Sequence, residues 1–482
     1  MATFVAISSH AQSNSPPKVI DNLATDRDAG PLYTGKVIVT LKPDQANAVS
    51  TMEESLNLTP GATEQISPDQ TVIHVNQEEW QAAGDESEKA ALVEETVRKL
   101  NELDEVESAI PDIRMLPHAQ PDDPLYIYQW HYGMAAPGGI KLPTGWEHTV
   151  GGDDVVVAVL DTGILPDHPD IAGSGNILPG FDFISNIATA NDGNGRDADS
   201  TDPGDAVPAD FCGPGAPPEP NSWHGTHVAG TVGAGSTDNA DGIAGTAWNV
   251  KILPVRVLGR CGGSSLDIAD AIRWSAGLPV TGLPPNPNPA KVINMSLGGS
   301  AEACPPFYQS AIDDAAAAGA LVVVSAGNRA TDAANATPAN CDRVFTVAAS
   351  NLLGSIARYS NYGDHVDIMA PGGDVRRDDN EDGVGDGVLS MVAPADGSYA
   401  FYNGTSMAAP HVAGVAALGL SLDPTLSATD LANLMQISSK QRSVAQCWRG
   451  CGSGLLDASL FLDAIFSNIG SNLDAAVSNT DQ

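Results

Sequence analysis

The chain has 482 residues, 42% of them hydrophobic, and a formal net charge of −37. That length exceeds one compact core of ordinary size and calls for two or more domains, while so anionic a surface excludes nucleic acid as a partner. No apolar run approaches the roughly 20 residues of a bilayer crossing, so no membrane span is expected.

Residues 1–34 begin with a short apolar patch, Ala2 to Ile7, followed by Ser-Ser-His-Ala, which has the look of an export-signal cleavage site without the basic n-region. Residues 1–34 are therefore read as a signal-peptide remnant and leader. Residues 35–119 alternate candidate strands and helices: Lys36–Leu41, a helix near Gln45–Leu58, Thr71–Val75, a helix near Glu88–Leu103, and Val106–Ile110. In the second helix Leu92, Val97, Leu100 and Leu103 are expected on one face. This is a small α/β unit, and the Pro- and Asp-bearing segment Arg114–Asp123 reads as a linker.

Residues 120–466 carry short runs that are apolar on both faces: Val155–Leu160, Ile252–Val257, Val292–Met295, Leu321–Ser325 and Val344–Ala348. Helical stretches such as Ser310–Ala318 lie between them. The pattern predicts an α/β fold with a mostly parallel sheet and helices on both faces, with functional groups at the carboxyl ends of strands. Residues 467–482 read as a polar tail. Of the 40 Asp and Glu residues beyond position 119, 36 are Asp, which favours turns and oxygen-ligand loops over helices.

Four motifs stand where this layout puts chemistry. The first strand of the larger region runs into Asp161-Thr162-Gly163. His224-Gly-Thr-His227-Val-Ala-Gly230 opens an apolar helix, and Gly404-Thr-Ser406-Met-Ala-Ala-Pro410-His411 opens another. Ser325-Ala326-Gly327-Asn328 follows a strand directly. A serine hydroxyl becomes a strong nucleophile when an imidazole takes its proton, and the imidazole needs a carboxylate to fix its tautomer. An amide at Asn328 can donate to the oxyanion beside the Ser406 N–H. His224 and His227 could also be a zinc pair, but the His-Glu-x-x-His pattern is absent. His227 and His411 sit inside apolar helices and are read as structural.

These motifs resemble those of the subtilisin-like serine peptidases, the subtilases, over about residues 120–465. The order Asp, His, Ser is that family's order. The resemblance implies a subtilisin-like fold and a secreted serine endopeptidase acting on protein or peptide substrates. Its catalytic residues would be Asp161, His224, Ser406 and Asn328. It further implies that Ser296, Leu297 and Gly298, with Ala326 and Gly327, bind substrate. Residues 35–119 are similar, more weakly, to the family's ferredoxin-like propeptide, which would make the chain a self-processing zymogen with its own propeptide as inhibitor. A monomer is expected. The alternative is a catalytically inert subtilase fold used as a binding module, although inert relatives usually lose one of the four residues retained here.

Six cysteines, none in a Cys-x-x-Cys pair, favour disulfides in an oxidising compartment. Of the 15 possible pairings the sequential one, Cys212–Cys261, Cys304–Cys341 and Cys447–Cys451, is expected, because each pair then brackets a contiguous surface segment; secreted subtilases of Gram-negative bacteria look similar. Structural calcium is expected too, since subtilases commonly hold it in surface loops. One candidate ligand set is Asp192, Asn194, Asp197, Asp199 and Asp202. A second is Asp378, Asn380, Asp382 and Asp386, which opens like an EF-hand loop but has Leu389 at the twelfth position. The competing reading for both is a solvated acidic loop.

Overall fold

A computed structural model describes residues 33–42, 62–113 and 120–467 with a few single-residue or two-residue gaps, together with positions 52 and 56. The chain forms two compact units that divide between Pro117 and His118. The expected leader, the helix near Gln45–Leu58 apart from Met52 and Leu56, the segment 114–119 and the polar tail beyond Ser467 lie outside the described residues.

The smaller unit is an antiparallel sheet backed by helix. Strands β1 (Tyr33–Leu41), β2 (Thr63–Ser67), β3 (Gln70–His74) and β4 (Val106–Ile113) assemble in the order β2-β3-β1-β4, accompanied by helices α1 (Gln77–Ala82) and α2 (Glu86–Asn101). Period-two alternation in β1 buries Val37, Val39 and Leu41 and leaves the residues between them half-buried. On α2 the buried stripe is Val93, Val97 and Leu100, spaced four and three apart; Leu103 packs against the same core just beyond the helix. Leu92, expected on that face, is instead half-buried outside the core cluster.

The larger unit is built on seven strands: β5 (Val156–Asp161), β6 (Phe181–Asp182), β7 (Lys251–Arg256), β8 (Val292–Met295), β10 (Leu321–Ser325), β12 (Val344–Ser350) and β13 (Ile368–Pro371). They form one parallel sheet in the order β13-β12-β10-β8-β5-β7-β6. Two small antiparallel pairs stand outside it: β9 (Gly299–Ser300) with β11 (Ala336–Thr337), and β14 (Val388–Met391) with β15 (Tyr399–Tyr402). Successive residues of β5 enter opposite cores. Val157 and Val159 face the cluster shared with helices α3 (His224–Val232) and α6 (Thr405–Leu422), whereas Ala158 and Leu160 face the cluster shared with α4 (Ser265–Ser275) and α5 (Pro306–Ala317). Both faces are therefore dry, which explains the unbroken apolar runs. Helix α6 is long and apolar enough to cross a membrane, but it is the central core helix of this unit. Cys212–Cys261, Cys304–Cys341 and Cys447–Cys451 are bonded, with Cα separations of 5.5, 4.9 and 5.6 Å.

Candidate active site

Asp161 is the last residue of β5 and fully buried. Its Oδ1 lies 2.7 Å from Nδ1 of His224 and also accepts the Thr162 N–H at 2.8 Å. The next residues lock this corner. Thr162 Oγ1 donates to Asp202 Oδ2 (2.7 Å) and accepts from Gly225 N (2.9 Å), tying the end of β5 to the first turn of α3. Arg256, directly opposite Asp161 in the β5–β7 register, donates from Nε to Thr162 O (3.2 Å). Trp223, just before His224, holds φ at 47°, a left-handed conformation that costs a non-glycine residue free energy and turns the imidazole toward β5.

Burial alone would push the His224 pKa down. The charge and hydrogen bond of Asp161, helped by Asp205 and Asp202 farther off, reverse the balance and raise it above the ordinary 6.5. Asp205 is itself fixed, accepting from Ser222 N and Ser222 Oγ at 2.6 Å each.

Ser406 is the second residue of α6, which packs along α3. The two segments are also pinned by Tyr402 Oη donating to Ser222 O at 2.9 Å. Asn328 follows β10 and turns its Oδ1 to the first turn of α6, accepting from Thr405 N (2.8 Å) and Thr405 Oγ1 (2.9 Å). With the oxygen so committed, the amide NH2 must point away from Thr405. The Ser406 N–H, in the first turn of a helix, has no intrahelical acceptor either. The site thus holds two adjacent donors without helix or cap duties.

Pro410 lies inside α6 and has no N–H to give to Ser406 O four residues back. That carbonyl accepts instead from Ser296 Oγ (2.8 Å), and Ser296 O in turn accepts from Ser406 Oγ (3.1 Å). Ser296 and Leu297 are buried and Gly298 is exposed; Ala326 is buried and Gly327 half-buried, its N–H bonded to Thr405 Oγ1. Ser406 and Ser296 are thus bonded to each other, Asn328 and Gly327 are bonded to Thr405 beside them, and the Asp161–His224 pair stands at the start of the helix that packs along α6. His227 and His411 stay outside it. His227 Nε2 is 3.0 Å from Ala400 O and its ring stacks on Tyr402; His411 bonds Met407 O and His131 at 2.8 Å each. Burial pushes their pKa values down, to about 3 and about 4.

The two acidic loops do not form cages. Asp192 pairs with Arg256, and Asn194 bonds Asp197. Asp197, Asp199 and Asp202 each accept a backbone N–H two residues ahead. In the second loop Asp378 accepts from Asp382 N and Gly383 N, Asn380 bonds Asp382, and Asp386 accepts from Asp379 N. Among the described residues no three His, Cys, Asp or Glu side chains converge on one point. In the first loop these oxygens close turns or meet arginine, whereas in the second Asp386 is buried with its Oδ1 unpartnered.

Sequence reasoning passed over two buried carboxylates. Asp123 and Asp170 are 3% and 1% exposed, and each has an Oδ1 without a hydrogen-bond partner. Their other oxygens hold the loop 238–243, through Asp238 N (2.9 Å) and Ile243 N (3.1 Å). Burial pushes their pKa values up to about 6 and about 7. Nothing local could have flagged two isolated aspartates 47 positions apart.

A subtilase-family model matches residues 152–454, which is more than half the chain. The chain belongs to the subtilase family. It is 44% identical over 76% of its length to an extracellular protease of Xanthomonas campestris pv. campestris and 40% identical over 79% to an extracellular basic protease of Dichelobacter nodosus. It spans 61% and 62% of those two proteins. A thermophilic serine proteinase of Bacillus sp. (strain AK1) is 32% identical, with 83% of this subtilase and 82% of that protein covered. A solved structure of a Pseudoalteromonas arctica protease aligns with a TM-score of 0.67 at 46% identity, covering 72% of this subtilase and all of that chain.

Proposed function

We propose that this subtilase is a secreted serine endopeptidase that cuts polypeptides through an acyl-enzyme. The observation that carries the reading is the 2.7 Å Asp161–His224 bond beside a helix start bearing Ser406 and the Asn328 amide. In this mechanism Ser406 Oγ leaves the Ser296 carbonyl and gives its proton to His224 Nε2 as it attacks the substrate carbonyl. Asp161 keeps Nδ1 protonated and stabilises the imidazolium. The Asn328 NH2 and the Ser406 N–H receive the oxyanion, and the positive end of α6 adds to them. His224 then protonates the departing amine, and water, activated by the same imidazole, releases the acyl group. The segment 296–298 and residues Ala326–Gly327 flank Ser406 and would hold the substrate backbone. Hydroxyl-to-carbonyl bonding at Ser406 does not weigh against this, since catalytic hydrogen bonds often tighten only with substrate bound.

Three further readings belong with this one. Residues 35–119 act as a removable propeptide and inhibitor, supported by the unit boundary at 117/118 and by the family's habit. Secretion is supported by the extracellular relatives and the disulfides. Calcium, where bound, would be held by Asp123 and Asp170 with carbonyls of the 238–243 loop, and would stabilise the fold without entering the chemistry.

The deciding experiment is reaction with a fluorophosphonate probe. Labelling of the parent but not of Ser406→Ala, with turnover on casein falling on the order of 10⁶-fold, the size this loss has in subtilisin, is expected. An unlabelled, properly folded parent would leave the inert binding module as the reading.

A further inference from the structure

Three arginines are tied to Ala330, two residues beyond Asn328, one by its side chain and two through the backbone. Arg329 adjoins it. Arg449 Nη1 donates to Ala330 O at 3.2 Å, its guanidinium stacked over Trp448 (3.9 Å) and Tyr362 (4.7 Å). Arg358 reaches the same place through its neighbour, because Ala330 N donates to Tyr359 O at 2.8 Å. Arg329 itself bonds Ser300 Oγ, spanning from the Asn328 side of the cleft to the strand that continues 296–298. Among the described residues none of the three forms an ion pair with a carboxylate, although the region beyond residue 119 carries 40 Asp and Glu against 15 Lys and Arg.

Arg358 also lines a depression of about 530 Å³ with Tyr359, Asp374, Arg376 and Arg377. Arg376 is paired with Asp374 and Arg377 with Asp379, so the uncompensated charge there is that of Arg358. The floor of the depression leads to the nucleophile. Tyr359 Oη lies 2.8 Å from both Gly372 O and Gly373 O, and Gly372 O accepts the N–H of Gly404, the residue that caps the Ser406 helix.

We propose that Arg329 and Arg358 make this subtilase select polypeptide segments bearing Asp or Glu beside the bond to be cut. The inference rests on the peptidase reading and names the substrate class of that same site. Elsewhere the anionic surface repels acidic chains, and a local cationic rim both draws them to the cleft and sets their register. A guanidinium suits the task because it stays charged at every working pH and grips a carboxylate with a planar fork.

The test uses internally quenched peptides that differ only in Glu, Gln or Lys at each of the two residues flanking the scissile bond, assayed at low and high salt. Enzyme concentrations are fixed by fluorophosphonate titration. At low salt the parent should show kcat/KM for Glu over Lys of about 10-fold at one or more positions, shrinking toward unity at high salt. In Arg329→Gln/Arg358→Gln the ratio should fall below about 2. The same Glu moved to the far end of the peptide should confer no preference. A parent ratio of unity or below, or a ratio untouched by the double substitution, overturns the inference while leaving the peptidase reading intact. No cleavage of the Gln peptide by titratable parent enzyme overturns both.

Discussion

The segment 192–205 and the pair Asp123/Asp170 are both acidic, yet opposite in physical state. The first packs five aspartates into fourteen residues, and all five already have partners: turn N–H groups, Ser222, Thr162, or the guanidinium of Arg256. The second has two carboxylates far apart in sequence, each buried with an oxygen left bare. The dense segment therefore folds on itself, whereas the buried pair keeps oxygen that a further partner would satisfy, the role proposed for calcium.

Arg256 gives the sharpest way to break the comparison. It is 1% exposed and holds Asp182, Asp192 and the Ala190 and Thr162 carbonyls together. Arg256→Met leaves Asp182 buried without its cation and should cost about 3–5 kcal/mol, read as a fall in the denaturation midpoint at unchanged m-value. A cost under about 1 kcal/mol would mean that the guanidinium does not hold this region. Next comes calcium. If Asp123 and Asp170 hold the ion, calcium at 100 times its Kd should stabilise the parent by about 2.7 kcal/mol over chelator, measured by thermal unfolding, and Asp170→Asn should lose that gain. Equal stability in calcium and chelator, after full exchange, would make the bare oxygens a feature of folding alone.

A smaller effect concerns pH. The His224 imidazole must be neutral to accept a proton and its pKa is raised, so kcat/KM should climb through an acid limb centred above 6.5. Asp205→Asn removes one of the charges that raise it and should move the limb to lower pH; a limb that stays put would strike Asp205 from the causes of the shift. The smallest effect is expected of Asp192→Asn/Asp197→Asn, which should leave the calcium response as in the parent. Loss of the response in that variant would return the ion to the dense loop.

Most of the larger sheet was legible because a strand buried on both faces must be largely apolar, as β5, β8 and β10 are apart from Asp161, Asn294 and Ser325. Strand β2 was missed because Thr63–Ser67 is polar and largely exposed, giving no period to read. Strand β13 and the β14–β15 pair were missed because four-residue strands among Gly and Pro carry too few residues to show a pattern. The residues of the candidate site were legible for a different reason: each sits at the junction of a strand or helix with a loop, where local sequence reports the element and the chemistry together. Asp123 and Asp170 had no such junction. Their meaning comes from burial, which only the folded chain creates.

The absent N–H of Pro410 has a mechanical meaning for this subtilase. A helix normally shields its first carbonyls inside its own ladder, so that a push on a neighbouring strand is not felt by the residue at the tip. Here the Ser406 carbonyl is spliced out of the ladder and wired to Ser296, while the Ser406 hydroxyl is wired to the Ser296 carbonyl. If substrate docks against 296–298 as proposed, it would bear on both bonds at once, so the docking of substrate and the freeing of the nucleophile would become a single movement.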